Sequence, residues 1–438
     1  MIFDYKNILI MGYGESGKAV ENILKSLNIE YKIYDKSHGV NGGGYLCKLN
    51  RKTISNFDLL VISPGISIYN KYVVMAERMG IKVVGELEFG YWFTSSPVVA
   101  ITGTNGKTTT TSLINQIIGT TYTCGAFGNI GIPLCRAYKK SMDYLVCEVS
   151  SFQLESTYSF HPYISIILNI AEDHIDRHKT FENYIKCKLG LLKNCTEKSL
   201  IVLNADDKLI MERTENIKAK KFYISKYKKV KGVYILEDKI YINIKSKPYV
   251  LCETKEFEHL LTVIEDVLAS ILACKLLQIE DNKIIETIKN FELAPHRMKV
   301  VLEKNGVKYI DDSKSTNVHS TLNALRVSES GVVLMLGGED KDLNFDDIFI
   351  KYKDKINYVI AFGKARKKIE KSASKCGFEN VKSCNTFYEG VKAGYEIAKE
   401  KNILLLSPAC ASFDEFKSYS ERGEKFEKLV KELSNAKS

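Results

Sequence analysis

The chain has 438 residues, 45% of them hydrophobic and 26% charged, with a formal net charge of +10, which suits a globular protein of about two to four domains. No apolar run approaches the ~18 residues of a membrane span, and the opening MIFDYKNILIMGYG lacks the basic start, long apolar stretch and cleavage site of a signal peptide. The 11 cysteines are scattered without a CxxC pair, so they read as reduced thiols of a cytoplasmic protein, not as a zinc site or a disulfide framework. Lysines crowd between Lys218 and Lys231, but with few aromatics and no nucleic-acid motif they read as a solvated face.

In residues 1–93, KNILIMG reads as a buried strand leading into the turn Gly12-Tyr13-Gly14-Glu15-Ser16-Gly17, then a helix (AVENILKSL) and a strand ending at Asp35. DLLVISPG, a helical stretch and the strand KVVGELE follow. Strands alternating with helices imply a parallel, doubly wound sheet. The GxGxxG turn with Asp35 at a fitting distance suits a dinucleotide. The motif is common by chance, and a Rossmann-like fold holding another nucleotide fits better beside the phosphate loop downstream.

Residues 94–297 form a second α/β segment. The strand PVVAITG enters the loop Gly103-Thr104-Asn105-Gly106-Lys107-Thr108, and the helix TTTSLINQII, opening at Thr109, leaves it. Such a turn aims backbone N–H groups and a helix N-terminus at phosphate oxygens, with Lys107 against the β- and γ-phosphates and the Thr108 hydroxyl toward magnesium. The full pattern has a glycine five positions before Gly106, where Ile101 stands, so this is a shortened phosphate loop. YLVCEVS ends near Glu148, and ISIILNI runs into AEDHIDRH, which contains His174. Ligands of open α/β sheets sit at strand carboxyl ends, so both residues are candidates to join the phosphate loop. DRHKTFENYIKCKLGLLKN reads as one amphipathic helix and SLIVLNADD as a strand. Residues 298–438 pair apolar strands with polar loops four more times, in VKYIDDSKSTN, GVVLMLGGEDK, YVIAFGKAR and ILLLSPACAS.

Taken in order, GTNGKTTTT, GNIGIPL, EVSSFQLE, NIAEDHIDRH, NADD, APHRMKVV, DDSKSTN, LLLSPACASFDEF and ERGEKF resemble the motifs of the muramyl ligase family, over essentially the whole chain. Within it, the D-glutamate-adding branch is the most similar. The resemblance implies three α/β domains: a Rossmann-like N-terminal domain for a uridine nucleotide, a central P-loop ATPase-like domain, and a C-terminal Rossmann-like domain for the incoming amino acid and part of the ATP site. It implies a cytoplasmic, monomeric ligase that joins D-glutamate to UDP-N-acetylmuramoyl-L-alanine through an acyl phosphate, using ATP and two magnesium ions, with no nucleic-acid partner.

The resemblance also assigns roles. Lys107 and Thr108 match phosphate and magnesium contacts. Glu148 and His174 match magnesium ligands, and Lys188 matches a lysine whose carbamate holds metal. Asn129 matches a contact near the reacting acid. Arg297 and Asp312 match ATP contacts, and Lys314, Thr316, Lys341, Ser412 and Tyr419 match the amino-acid pocket. Gly14, Glu15, Ser16, Asp35, Ser63 and Gly65 lie on the uridine turns. Two departures stand out: TVIED around Val263 and Asp266 replaces the family's HNxxN pattern near the adenine, and Tyr419 stands where phenylalanine is usual. Competing readings are a sibling ligase, including the folate type, a nucleotide-binding regulator without turnover, and an oxidoreductase resting on GYGESG alone. The chain carries no DNPR of the diamino-acid-adding relatives.

Overall fold

The computed structural model describes residues 4–36, 44–245, 247–340, 343–399 and 403–435. They form three α/β domains, each built on its own sheet. The chain divides into two compact units, one running to Glu258 and including Val263–Phe291, the other comprising His259–Thr262 and the chain from Glu292 onward. No helix among the described residues is long and apolar enough to cross a membrane.

The first sheet contains β1 (Asn7–Met11), β2 (Glu30–Tyr34), β3 (Leu59–Ile62) and β4 (Lys82–Gly85) in the order β2-β1-β3-β4, all parallel. Its central strands β1 and β3 are near-continuous apolar runs because helices cover both faces, giving one core around Ile8, Ile10 and Leu24 and another around Leu9, Met11 and Val73. The chain leaves β1 to one side and returns on the other, so a crevice opens beyond Met11 at the glycine turn. A Cβ on Gly17 would fall 2.2 Å from the Gly12 carbonyl oxygen, so only glycine lets the helix Glu15–Ser26 start this close to the strand.

The expected strand KVVGELE is half strand and half helix. β4 ends at Gly85 and Glu86–Trp92 is helical. The apolar alternation carries on through ELEFGYW, but its acids find better partners in a helix. Glu88 is fully buried and accepts from Trp92 Nε1 (2.9 Å), Ser159 N (2.7 Å), Ser159 Oγ (2.5 Å), Tyr158 N (3.0 Å) and Phe160 N (3.1 Å). Five donors offset the desolvation of one carboxylate and fasten this helix to the next domain.

The second sheet has nine strands. They are β5 (Val98–Thr102), β6 (Cys124–Gly128), β7 (Tyr144–Glu148), β8 (Ile164–Ile167), β9 (Leu200–Asn204), β10 (Lys220–Ser225), β11 (Gly232–Leu236), β12 (Lys239–Asn243) and β13 (Tyr249–Glu253), in the order β13-β12-β11-β10-β9-β8-β5-β7-β6. β5 is flanked by β7 and β8, both parallel to it, which places a second switch point at the phosphate loop. The antiparallel strands β12 and β13 extend the sheet at its far edge. The expected single helix over residues 176–194 is broken. His178 ends a short turn, Lys179 takes φ 72°, and Thr180 caps a new helix, Phe181–Leu189, by accepting the Asn183 N–H at 3.2 Å. A threonine at an N-cap restarts the helix in a new direction.

The third sheet contains β14 (Lys299–Lys304), β15 (Val307–Asp311), β16 (Val332–Gly337), β17 (Ile356–Phe362), β18 (Val381–Ser383) and β19 (Ile403–Ala409), in the order β14-β15-β19-β16-β17-β18. All neighbours are parallel except β14 and β15. That hairpin turns at Asn305-Gly306, both with positive φ, as a two-residue turn between right-twisted strands requires.

Glu86, at the first turn of the Glu86–Trp92 helix, is 1% exposed. Its Oε1 accepts the Cys135 N–H at 2.7 Å and its Oε2 has no hydrogen-bond partner among the described residues. Burial pushes its carboxyl up to about 7. A folded-state value above the ordinary carboxylate range gives stability that is present at low pH and lost as pH rises toward 7. Glu86→Gln is therefore expected to melt above the wild type at pH 8, with the gap closing toward pH 5. Thermal unfolding across that range checks it, and a gap independent of pH would count against the buried acid.

Candidate active site

The phosphate loop is held by backbone and by neighbours from β8. Gly106 has φ 86° and caps the helix Lys107–Gly119, a conformation that glycine adopts without strain. Thr104 N donates to the Asn169 carbonyl (2.9 Å), and Thr104 Oγ1 donates to the Ala171 carbonyl (3.0 Å) while accepting the Ala171 N–H (2.9 Å). Asn105 N donates to Asn169 Oδ1 (2.9 Å), and Asn169 Nδ2 donates back to the Asn105 carbonyl (3.2 Å). Thr104 also meets the Tyr184 hydroxyl at 3.0 Å. The loop is fixed to the strap that follows β8 before any ligand arrives.

Lys107 Nζ donates to the carbonyls of Gly103 (2.9 Å) and Thr104 (2.8 Å). Lys188 Nζ donates to the same Gly103 carbonyl at 2.6 Å, over the Tyr184 ring at 4.7 Å. Lys188 is 1% exposed, so it is no ordinary surface lysine of a helix. Burial, and then the neighbouring Lys107 charge, holds its ammonium well below the usual lysine range. Lys107 is also held low by burial, against the opposing pull of Glu148, Asp173 and Asp266.

Glu148 ends β7 and is 2% exposed. Its Oε1 accepts from Asn129 Nδ2 at 2.7 Å, and its backbone carbonyl accepts the Asn129 N–H at 2.8 Å. Its Oε2 is buried with no hydrogen-bond partner among the described residues. An orphaned carboxylate oxygen beside a phosphate loop is a donor suited to a hard divalent cation, so the residues present fit magnesium. Thr108 lies in the first turn of the helix behind the loop and Thr109 is buried behind it. His174 sits on the strap with φ 54°, half-exposed, its ring 4.9 Å from that of Phe152.

The uridine-turn candidates gather at the first switch point. Gly14 caps the helix and Ser16 lies in its first turn. Glu15 pairs with Lys18 (3.3 Å) and Arg136 (3.7 Å). Asp35 Oδ2 accepts the Tyr13 N–H at 2.6 Å, and Ser63 Oγ donates to the Gly12 carbonyl at 3.0 Å. Gly65 lies just past β3.

In the C-terminal domain, Arg297 Nη1 donates to Ser315 Oγ at 3.1 Å and lies 3.7 Å from Asp312 Oδ1. Asp312 is fully buried and accepts from Ser315 Oγ (2.5 Å), Ser407 Oγ (2.8 Å) and Met298 N (3.3 Å), so its carboxylate is engaged within its own domain. The Lys314 ammonium lies 5.7 Å above the Tyr419 ring. Thr316 is half-buried, and Ser412 is buried at a turn where its carbonyl accepts the Phe416 N–H at 2.8 Å. Lys341 lies outside the described residues. Fully buried Arg422, unremarked in the sequence, ties the two turns together by donating to Ser313 Oγ (2.9 Å), the Ser313 carbonyl (2.9 Å) and the Cys410 carbonyl (3.0 Å).

Asn169, Tyr184 and Arg177 also escaped the sequence reading. A threonine or asparagine at a strand end is common, and only the sheet order shows which ends are neighbours.

Glycine turns at the switch points of two sheets, and a phosphate-loop turn whose Gly103 carbonyl takes two lysine side chains beside an orphaned carboxylate, make a site suited to nucleotide phosphates, and the relatives of the chain define its class as an ATP-dependent ligase. Three family models match the chain: Mur ligase MurD-like, N-terminal domain over residues 6–85, Mur ligase middle domain over 101–263, and Mur ligase, glutamate ligase domain over 296–410. The UDP-N-acetylmuramoylalanine--D-glutamate ligase of Thermoanaerobacter sp. (strain X514) is 37% identical over 98% of this chain and 98% of its own. That of Clostridioides difficile (strain 630) is 33% identical over 98% and 99%. In fold, the chain resembles a pseudomurein peptide ligase type C from Methanothermus fervidus, with TM-score 0.62 and 19% identity over 98% of this chain and 100% of that one. It likewise resembles the MurF ligase of Thermotoga maritima in complex with ADP, with TM-score 0.59 and 14% identity over 98% and 96%. The chain belongs to the Mur ligase family.

Asp266 stands against the phosphate loop, where a Cβ on Gly106 would meet its Oδ1 at 2.0 Å. A carboxylate here opposes the approach of a triphosphate. Asp266→Asn is expected to bind ATP severalfold more tightly, as read by nucleotide titration. Weaker binding would mean that the carboxylate acts chiefly by keeping Lys107 charged.

Proposed function

We propose that this chain joins D-glutamate to UDP-N-acetylmuramoyl-L-alanine with ATP, in the synthesis of peptidoglycan precursors. Residues 1–93 form the uridine-nucleotide domain, 94–297 the ATP domain and 298–438 the domain for the incoming amino acid. It works as a cytoplasmic monomer. One observation carries the reading most directly: the phosphate loop, Lys107, buried Lys188 and the orphaned oxygen of Glu148 gather at the neighbouring carboxyl ends of β5 and β7. The full-length D-glutamate ligase relatives support the choice of substrate.

A carboxylate is a poor electrophile, and phosphorylation supplies the missing leaving group. The acceptor's carboxylate oxygen attacks the γ-phosphorus of ATP, and the bond to ADP breaks. The D-glutamate amine then attacks the acyl carbon, loses a proton, and phosphate departs as the amide forms. Catalysis rests on positioning and on neutralising charge around the transferred phosphoryl. The loop 103–109 cradles the phosphates through the backbone N–H groups at the start of its helix, those of Thr104 and Asn105 being engaged by Asn169, while Lys107 offsets the phosphate charge. Asn129, held by Glu148, orients the acid end of the acceptor.

Thr108, Glu148, His174 and Lys188 would hold magnesium, two ions in all, which supplies charge neutralisation on the phosphate oxygens. The lowered basicity of Lys188 favours the neutral amine, the form that reacts with carbon dioxide to give a carbamate. Gly14, Glu15, Ser16, Asp35, Ser63 and Gly65 receive the uridine nucleotide. Arg297 and Asp312 serve ATP, and Lys314, Thr316, Lys341, Ser412 and Tyr419 serve the D-glutamate carboxylates.

Product analysis by mass with ATP, magnesium, the acceptor and D-glutamate is expected to show the amide together with ADP and phosphate. Amide formation with another acceptor or amino acid, but not with this pair, would overturn the assignment. Lys188→Ala is expected to lose most activity and to regain part of it with added formate, whose oxygens replace those of the carbamate. Full activity in the unrescued variant would remove Lys188 from the mechanism.

A further inference from the structure

Arg177 lies three residues beyond His174 on the strap after β8, with its side chain only 12% exposed. Its guanidinium reaches into the first domain, donating from Nη1 to the Pro64 carbonyl at 3.0 Å and from Nη2 to the Ile66 carbonyl at 3.2 Å. These carbonyls flank Gly65. Nη2 also donates to Glu155 Oε2 at 2.7 Å, and the guanidinium lies 4.1 Å from the centre of the Phe152 ring. The other face of the arrangement leads back to the metal candidates, because the Phe152 ring packs 4.9 Å from that of His174.

A second route runs through Glu155. Its Oε1 lies 3.2 Å from His178 Nδ1, and His178 Nε2 lies 3.0 Å from Ser151 Oγ. Burial pushes His178 down to about 4, so the neutral ring donates from Nδ1 and accepts from serine. Ser151 and Phe152 open the short helix Ser151–Leu154, three residues past Glu148. A buried ion pair with Glu155 alone would account for the charge. It would not require both carbonyls of another domain and an aromatic face at the same time, which is a use of the flat guanidinium fork that lysine cannot copy.

Resting on the reaction proposed above, we infer that Arg177 is a positioning residue. It clamps the Ser63–Ile66 turn to the Phe152–His174 stack, so that seating the uridine end of the acceptor sets the orientation of His174 and the register of the acid end.

Hydrogen exchange with UDP alone, which occupies the turn but carries no acid end, tests the coupling. In the wild type, UDP is expected to slow exchange in both the 63–66 turn and the 171–180 strap. In R177A it should slow the turn only. In parallel, R177A is expected to lose kcat by about 100-fold, the scale of a misplacement near 1 Å, while the ATP KM stays within about twofold. R177K, which keeps the charge and the fold, should show the same loss of strap protection and most of the kcat defect, and it stands in if R177A does not fold. Strap protection equal to the wild type in either variant, or a lowered melting temperature with unchanged kcat, overturns the inference, as does a wild type in which UDP protects neither segment. Failure of the wild type to form the amide would instead sink the assigned reaction while the exchange comparison still reads the clamp.

Discussion

Two lysine ammonium groups share one carbonyl oxygen. Lys107 and Lys188 both donate to Gly103, at 2.9 and 2.6 Å, and Lys188 is almost wholly removed from water. Like charges this close, and this dry, are unfavourable in isolation. The surroundings are arranged to offset them, with Glu148 from the end of β7, Asp173 from the strap and Asp266 from the helix Ile264–Leu276 all acting on Lys107. The site is therefore a pair of buried amines held against three carboxylates from a strand end, the strap and a helix.

The same constraint explains why the loop is so heavily tied. Thr104, Asn105, Asn169 and Ala171 exchange hydrogen bonds that rigidify the turn without using either lysine. A loop that had to fold around its ligand would lose binding energy to ordering, and here that ordering is already complete. Tyr184 closes the set by touching both Thr104 and Lys188. It does so only because Thr180 restarts the helix after Lys179, so that Tyr184 and Lys188, four residues apart, face the loop together.

Much of this was legible in the residues. The switch-point turns, the phosphate loop, Glu148 and the three α/β segments all announce themselves as apolar strands running into glycine or acid. What escaped the sequence depends on which strand ends become neighbours. The family resemblance singles out Lys188, but its burial follows only from the break at Lys179, which turns its face inward. The ELE of KVVGELE reads as strand because the burial of Glu86 and Glu88 depends on donors from residues 135 and 158–160, far along the chain. The hairpin at Asn305-Gly306 is different. Its turn chemistry was present in the sequence, and the short strand before it, KVVLEK, exposed or half-buried throughout and without a period-2 pattern, masked the signal.

The first two domains carry their ligand turns on separate sheets, and a reaction that must join one nucleotide's acid to another's phosphoryl needs those sheets in fixed register. Hydrophobic packing alone sets such a register loosely, because apolar contacts tolerate sliding. Directional groups set it tightly. Glu88 collects five donors across the junction, and Arg177 spreads its fork over carbonyls on both sides of Gly65. One is an anion seated among N–H and O–H donors and the other a cation seated among oxygen acceptors. Both lie on segments that sequence patterning treats as ordinary strand and helix, so the precision of the site is carried by buried charges remote from the reacting atoms as much as by the residues that face them.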